Sequence, residues 1–268
     1  MAIASELAID TTATAQDMAQ SMFGAGIQIL SASFSGDAVS SGIYSGADTT
    51  IPGITPSDTG VILSTGNVGD FTNSSGTTNT NTIASTGTDV AGGINGDADL
   101  NAVSGVATFD GAIFEASFIP DGDYITMQFV FSSEEYLEYV NGGVNDAVGV
   151  WVNGAFVPLT IATNNTVSID TINNTVNSNL YVNNPAGTDP YNTEMDGFTV
   201  TLSLKAPVIS GQTNTIKIGI ADGGDGIYDS NLLIMGDSIQ TYALAFDDTV
   251  SLAANSSRTF DILANDID

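Results

Sequence analysis

The sequence predicts an antiparallel β-sandwich of jelly-roll type with one short helix near its N-terminus. Three observations predict it. Short apolar runs recur at strand length between loops rich in Gly, Asn and Asp. The composition, 42% hydrophobic with 29 Gly and 13% charged residues, is too apolar for a disordered chain and too rich in turns for a helical bundle. The 268 residues suffice for one main domain with a full core.

The helix is predicted over residues 14–24. Thr14 stands at the N-cap with Asp17 in capping-box position, Ala15, Met18, Ala19, Met22 and Phe23 share one face, and Gly24 supplies the stop. From residue 26 to about 106 the chain reads as brief strands, such as 27–30 and 61–63, among long loops. Residues 66–87 are almost wholly small and polar, a loop or surface elaboration expected to be the least ordered part.

The core strands are predicted at 112–118 and 124–131, joined by the turn Pro120-Asp121-Gly122-Asp123 into an antiparallel hairpin. In the second, Ile125, Met127 and Phe129 alternate with Thr126, Gln128 and Val130, the period of a strand with one buried face. Further strands are expected at 147–152, 155–161, 167–172, 198–204, 215–220 and 232–244, with Asn153-Gly154 as a two-residue hairpin turn.

Charge is the first functional clue. Against Lys205, Lys217 and Arg258 stand 31 acidic residues, six Glu and 25 Asp, for a formal charge of −28 with no His. That balance excludes nucleic acid and anionic membrane surfaces as natural partners, and no apolar run approaches the length of a membrane span. With no Cys either, disulfides, thiolate sites and zinc chemistry fall away, and hard cations held by oxygen remain, calcium above all. A solvated acidic coat is the plainer alternative. The opening MAIASELAID lacks a basic region and a long apolar run, which fits a cytosolic protein, one whose leader has been removed, or one exported by a C-terminal signal.

Three acidic clusters flank predicted strands: Asp97 and Asp99; Glu134 and Glu135 with Asn145 and Asp146; and Asp222, Asp225 and Asp229. Calcium takes six to eight oxygens, and Gly lets one loop turn tightly enough to offer several. The third cluster suits this best, although its spacing is not that of an EF-hand. Glu134 and Glu135 end an apolar strand, where adjacent carboxylates repel unless a cation or protons intervene. Alternatively, one faces solvent and the other pairs with Lys205 or Lys217, and the Asp-Gly loops are ordinary turns. Either Glu with Asp146 or Asp222 has the makings of a glycosidase pair. The single Trp, Trp151, and the lack of His and Cys nucleophile systems weigh against catalysis, so a non-enzyme is expected.

The segments LSTGN, GDADL, FVFSSEEYLEYV with NDAVGVWVNG, DGFTVTL and IKIGIADGGDGIYDSNLLI, in that order, resemble the choice-of-anchor L domain of bacterial secreted proteins from about residue 11 to 244. The resemblance implies an extracellular module, joined to varied surface anchors, with no assigned enzymatic activity. The family's acidic motifs fall on Asp97, Asp99, Glu134, Glu135, Asn145, Asp146, Asp222 and Asp229; calcium ligation by them is an inference from their chemistry. After Phe246, the run FDILANDID resembles the opening of a cadherin-like tandem repeat. The expected organisation is therefore a domain at 1–245 followed at 246–268 by a linker and the start of a truncated repeat, within a larger secreted or cell-surface protein that uses type I export. The expected function is calcium-stabilised adhesion or surface attachment, with a cell-surface or matrix component, a glycan or other copies of the chain as partner. A self-assembling matrix protein and a carbohydrate-binding module with exposed aromatics near Trp151 or Tyr181 are the alternatives.

Overall fold

Alternating residues shape outer strands, and short apolar runs the central ones, among the fourteen strands seen in the computed structural model, which describes residues 5–55, 57–72, 80–159, 166–187 and 191–241. They are β1 Ala8–Asp10, β2 Ile27–Ser35, β3 Ser41–Ser45, β4 Thr59–Ser64, β5 Thr108–Pro120, β6 Tyr124–Ser133, β7 Ala147–Val152, β8 Ala155–Phe156, β9 Val167–Ser168, β10 Tyr181–Asn183, β11 Gly197–Thr199, β12 Leu202–Pro207, β13 Asn214–Gly223 and β14 Ser230–Met235. Three α-helices accompany them: α1 Ala15–Met22, α2 Ala47–Thr50 and α3 Ala98–Ser104.

Two antiparallel sheets form the sandwich. The larger runs β1-β3-β4-β14-β6-β11-β10, with β12 continuing along the β11 side of β6; the smaller runs β2-β5-β13-β7-β8, with β9 also on β7. Most connections cross between sheets, the wiring of a jelly roll. Phe114 and Phe118 of β5, Phe129 and Phe131 of β6, and Ile218 and Ile220 of β13 meet in the main core, closed at one side by Met18 and Met22 of α1. A second core covers the outer face of the larger sheet, where Ile62, Val130 and Leu233 lie with Ile51, Phe71 and Met195. With both faces covered, β6 is buried from Ile125 to Ser133.

Several expectations hold and others are corrected. The capping box of α1 is formed in both directions, and Asn153 and Gly154, at φ 51° and 77°, make the tight turn between β7 and β8. The helix ends one residue earlier than its glycine suggests, because Phe23 is already extended. Gly24 serves instead for a close approach, since a Cβ there would strike the carbonyl of Asp237. The hairpin of β5 with β6 does not form. β5 pairs with β2 and β13 in one sheet and β6 with β14, β11 and β12 in the other, so the turn after Pro120 carries the chain across the sandwich. Their apolar faces meet through the core instead of lying side by side, and nine register pairs with β13 outweigh the local turn. The strand expected at 198–204 is interrupted between β11 and β12, and that expected at 232–244 stops at Met235. Residues 73–79 of the polar stretch, the far end of the 155–161 prediction and the cadherin-like tail at 246–268 lie outside the described residues.

Candidate functional site

Adjacent strands deliver the second and third acidic clusters to one end of the sandwich. Ser133 of β6 lies opposite Ser230 of β14 on one side and Gly197 of β11 on the other. Glu134 and Glu135 therefore leave β6 between Asp229 and Asp196. Asp222 arrives on β13 beside a bulge in β5, where Asp110 and Gly111 together oppose Ala221 and Asp110 takes φ 48°.

Asp146 sits deepest among these groups. Its Oδ1 accepts from the amide of Gly223 at 3.0 Å and its Oδ2 from the hydroxyl of Ser230 at 2.7 Å. Burial pushes it up to about 7, those donors and Ser133 opposing the rise and the charge of Asp225 adding to it. Asp222 is 4% exposed and its Oδ1 has no partner. Burial first, then the charges of Asp146, Asp229 and Asp110, hold it well above the usual carboxylate range, with the Thr65 hydroxyl pulling the other way. Asp229 accepts from the amide of Thr88 at 2.9 Å through Oδ1, while Oδ2 is unpartnered; burial, with smaller contributions from Asp70 and Asp110, takes it to about 7. The Cα of Gly66 packs so closely on this carboxylate that a Cβ would collide with it.

The two glutamates divide. Burial raises Glu135 to about 8, helped by the charges of Asp146, Asp225 and Glu138, and its Oε2 has no partner. Glu134 belongs to a different neighbourhood: its Oε1 accepts from the amide of Thr86, its Oε2 is unpartnered, and burial takes it to about 9 with Asp196 and Glu194 adding to the rise. Asp225, on the loop between β13 and β14, is half-buried.

Asp97 and Asp99 are placed elsewhere. Asp97 caps α3 by accepting from the amides of Asp99 and Leu100, and both carboxylates hold Lys217, with Nζ–O distances of 2.9 and 2.8 Å. Asn145 is spent on structure: its Nδ2 donates to the carbonyl of Ser104 and its Oδ1 accepts from the amide of Asp170. Lys205 lies over the ring of Tyr124, 4.7 Å from its centroid. Neither described lysine thus answers Glu134 or Glu135, and Arg258 lies outside the described residues. Trp151 is not an open platform; it is 6% exposed, packs on Phe156 and carries Lys217 over its ring.

Sequence reasoning missed Glu194 and Asp196, which are 1% and 6% exposed, and the segment 80–88 that binds them. The available signal was their spacing: two acidic residues on one side of the chain, directly before the buried β11. Thr82, Ile83, Thr86 and Thr88 donate backbone amides to Glu194, Glu134 and Asp229, so this half of the polar stretch is a strap across the acidic end. Among the described residues, no three carboxylates stand close enough to hold a metal ion by themselves.

Residues 7–240 match the family model of the choice-of-anchor L domain. The chain belongs to this family. The choice-of-anchor L domain is a surface-associated bacterial module, which makes this chain part of a secreted or cell-surface protein. No helix among its described residues is long and apolar enough to cross a membrane. No curated protein matches it. Among solved structures, it is similar to a family 35 carbohydrate-binding module from an environmental isolate, at 16% identity over 61% of this chain and 88% of that one, with a TM-score of 0.24. It is also similar to the Agl-KA catalytic domain, at 17% identity over 60% of this chain and 25% of that one, again at 0.24. At such scores neither likeness bears on the function of this choice-of-anchor L domain.

Proposed function

We propose that this choice-of-anchor L domain is a surface-attachment module whose acidic end is locked by calcium once the protein has left the cell. The observation that carries the reading is that Glu134, Glu135, Asp222 and Asp229 are each at least nine-tenths buried and each keep one oxygen without a partner. Removing a charged group from water costs several kcal/mol, on the order of the whole stability of a domain, unless a counter-charge is supplied. Both described lysines are engaged elsewhere.

Asp222 and Asp229 offer their unpartnered oxygens to the first ion, the nearby charges of Glu135, Asp146 and Asp225 favour a cation there, and main-chain carbonyls and water complete a shell of six to eight. Binding offsets the repulsion and draws in the strap and the loop between β13 and β14. The rigid surface so formed meets a cell-surface or matrix component, such as a glycan or another copy of the chain. Carboxyl groups exposed by only 1 to 4% are closed to a polymeric substrate, which favours this structural part over hydrolysis. Calcium affinity is expected in the range of about 10⁻⁴ to 10⁻³ M typical of extracellular modules. Hydrogen exchange tests the reading: the amides of Thr86, Thr88 and Gly223, which donate to these carboxylates, should exchange at least about tenfold more slowly in calcium than in EDTA. Equal rates would contradict it.

A further inference from the structure

The far side of Glu134 holds a second group of buried oxygens, and its amide side chains fix what those oxygens lack. Asn81 donates through Nδ2 to Oδ1 of Asp196 at 2.7 Å and to the carbonyl of Asn184 at 2.8 Å. Asn184 donates through Nδ2 to the carbonyls of Thr193 and Met195 at 3.1 and 2.9 Å. Turning either amide over would set its oxygen against acceptors, so both orientations are determined by their surroundings. Each Oδ1 is consequently left without a donor, in residues 0% exposed.

Two carboxylates share this predicament. Glu194 receives the amides of Thr82 and Ile83 on Oε2, both at 2.9 Å, and its Oε1 has no partner. Glu134 receives Thr86 on Oε1 and nothing on Oε2. The network is continuous: Asn184 donates its backbone amide to the carbonyl of Asp196, Asn81 and Thr82 are neighbours in the strap, and the charges of Asp196 and Glu194 both act on Glu134. Four buried acceptors with no donor, from two carboxylates and two amides, are the oxygen types that a hard cation takes, and one cation can satisfy several of them at once.

We propose that Glu134, Glu194, Asn81 and Asn184, supported by Asp196, form a second calcium site, separate from the one around Asp222 and Asp229. The ion joins the strap at 80–88 to the end of β6 and the start of β11. Water and carbonyls fill the rest of its shell, since no three carboxylates close on one point among the described residues. The two sites share a chain junction, Glu134 facing one and Glu135 the other, but no ligand.

Native mass spectrometry of the EDTA-stripped chain titrated with calcium counts the ions. The unaltered chain should take up at least two, Glu194→Gln one fewer, and Asp222→Asn one fewer by loss of the other ion. Glu194→Gln binding the same number as the unaltered chain would overturn the second site; Asp222→Asn doing so would count only against the first. Should a variant fail to fold, anomalous scattering from the unaltered chain crystallised in calcium decides. A peak between Glu134 and Glu194 supports the second site, whether or not one appears beside Asp222, and no peak there overturns it.

Discussion

The backbone amide of Thr86 donates to Oε1 of Glu134 at 2.8 Å, across 48 residues of chain. The same three segments bond again: Asp229 donates its amide to the carbonyl of Thr86 at 3.0 Å, and Glu134 donates its own to the carbonyl of Asp229 at 3.1 Å. The polar strap, the end of β6 and the loop before β14 are thereby tied at one point, and the strap's amides are directed at carboxylates. Anything that changes the charge of those carboxylates acts on the whole end of the sandwich.

Glu134→Gln keeps the shape and removes the charge. In EDTA at pH 8 the variant should be more stable than the unaltered chain, by about 1–3 kcal/mol, because Glu134, raised to about 9 by burial, must take up a proton on folding that Gln does not need. It should also lose part of its response to calcium. Chemical denaturation with and without calcium measures both effects.

The pH dependence of the cation-free chain has a definite sign. Burial raises Glu134 to about 9, Glu135 to about 8, Asp146 and Asp229 to about 7 and Asp196 to about 6 in the folded chain, above the ordinary values of 4.5 for Glu and 3.8 for Asp. The folded state therefore binds more protons than the unfolded state through that interval, and stability contributed by protonation is present at low pH and lost as pH rises through the folded values. In EDTA the melting temperature should fall between pH 5 and pH 9. Calcium replaces the protons, so the gap between calcium and EDTA curves should widen with pH.

Gly66 is expected to be intolerant of a side chain. A Cβ there would collide with the carboxylate of Asp229, so Gly66→Ala should cost about 1–3 kcal/mol, as overpacking of a filled site does. Because the collision falls on a proposed ligand, calcium titration should also show weakened binding, which an equally destabilising core change would not produce.

Lys217→Met separates the first acidic cluster from the others. The lysine holds Asp97 and Asp99 from a position 17% exposed, so its loss should cost no more than about 1 kcal/mol and leave the calcium response intact. A lost response would return Asp97 and Asp99 to the set of calcium ligands.

Much of the fold was legible because its signals are local. Thr14 and Asp17 announce a capping box that needs only one helical turn, and Asn153-Gly154 specifies its turn through backbone preference. The alternation in β6 marks the strand equally locally, but it implies one buried face where the structure buries both. What failed to show is decided at long range. The turn after Pro120 reads as a hairpin until β13 and β2 take both edges of β5, and α3 stayed hidden because Asp97 was read as a ligand when it is an N-cap. At the site, Glu134, Glu135, Asp222 and Asp229 stood out by sitting at strand ends in a chain poor in cations. Glu194 and Asp196 carried only the faint signal of their spacing before β11, and Asn81 and Asn184 none, because a buried acceptor without a donor is a property of the folded neighbourhood.

Thermal unfolding of the purified chain in EDTA, then across a calcium titration with magnesium in parallel, tests the central claim most directly. The account predicts a calcium-specific rise of at least about 5 °C, a shift on the scale of 1–3 kcal/mol for a domain of this size, reduced in both Asp222→Asn and Glu194→Gln. Identical melting curves in EDTA, magnesium and calcium at pH 8 would contradict it and leave the buried carboxylates to be explained by protons alone.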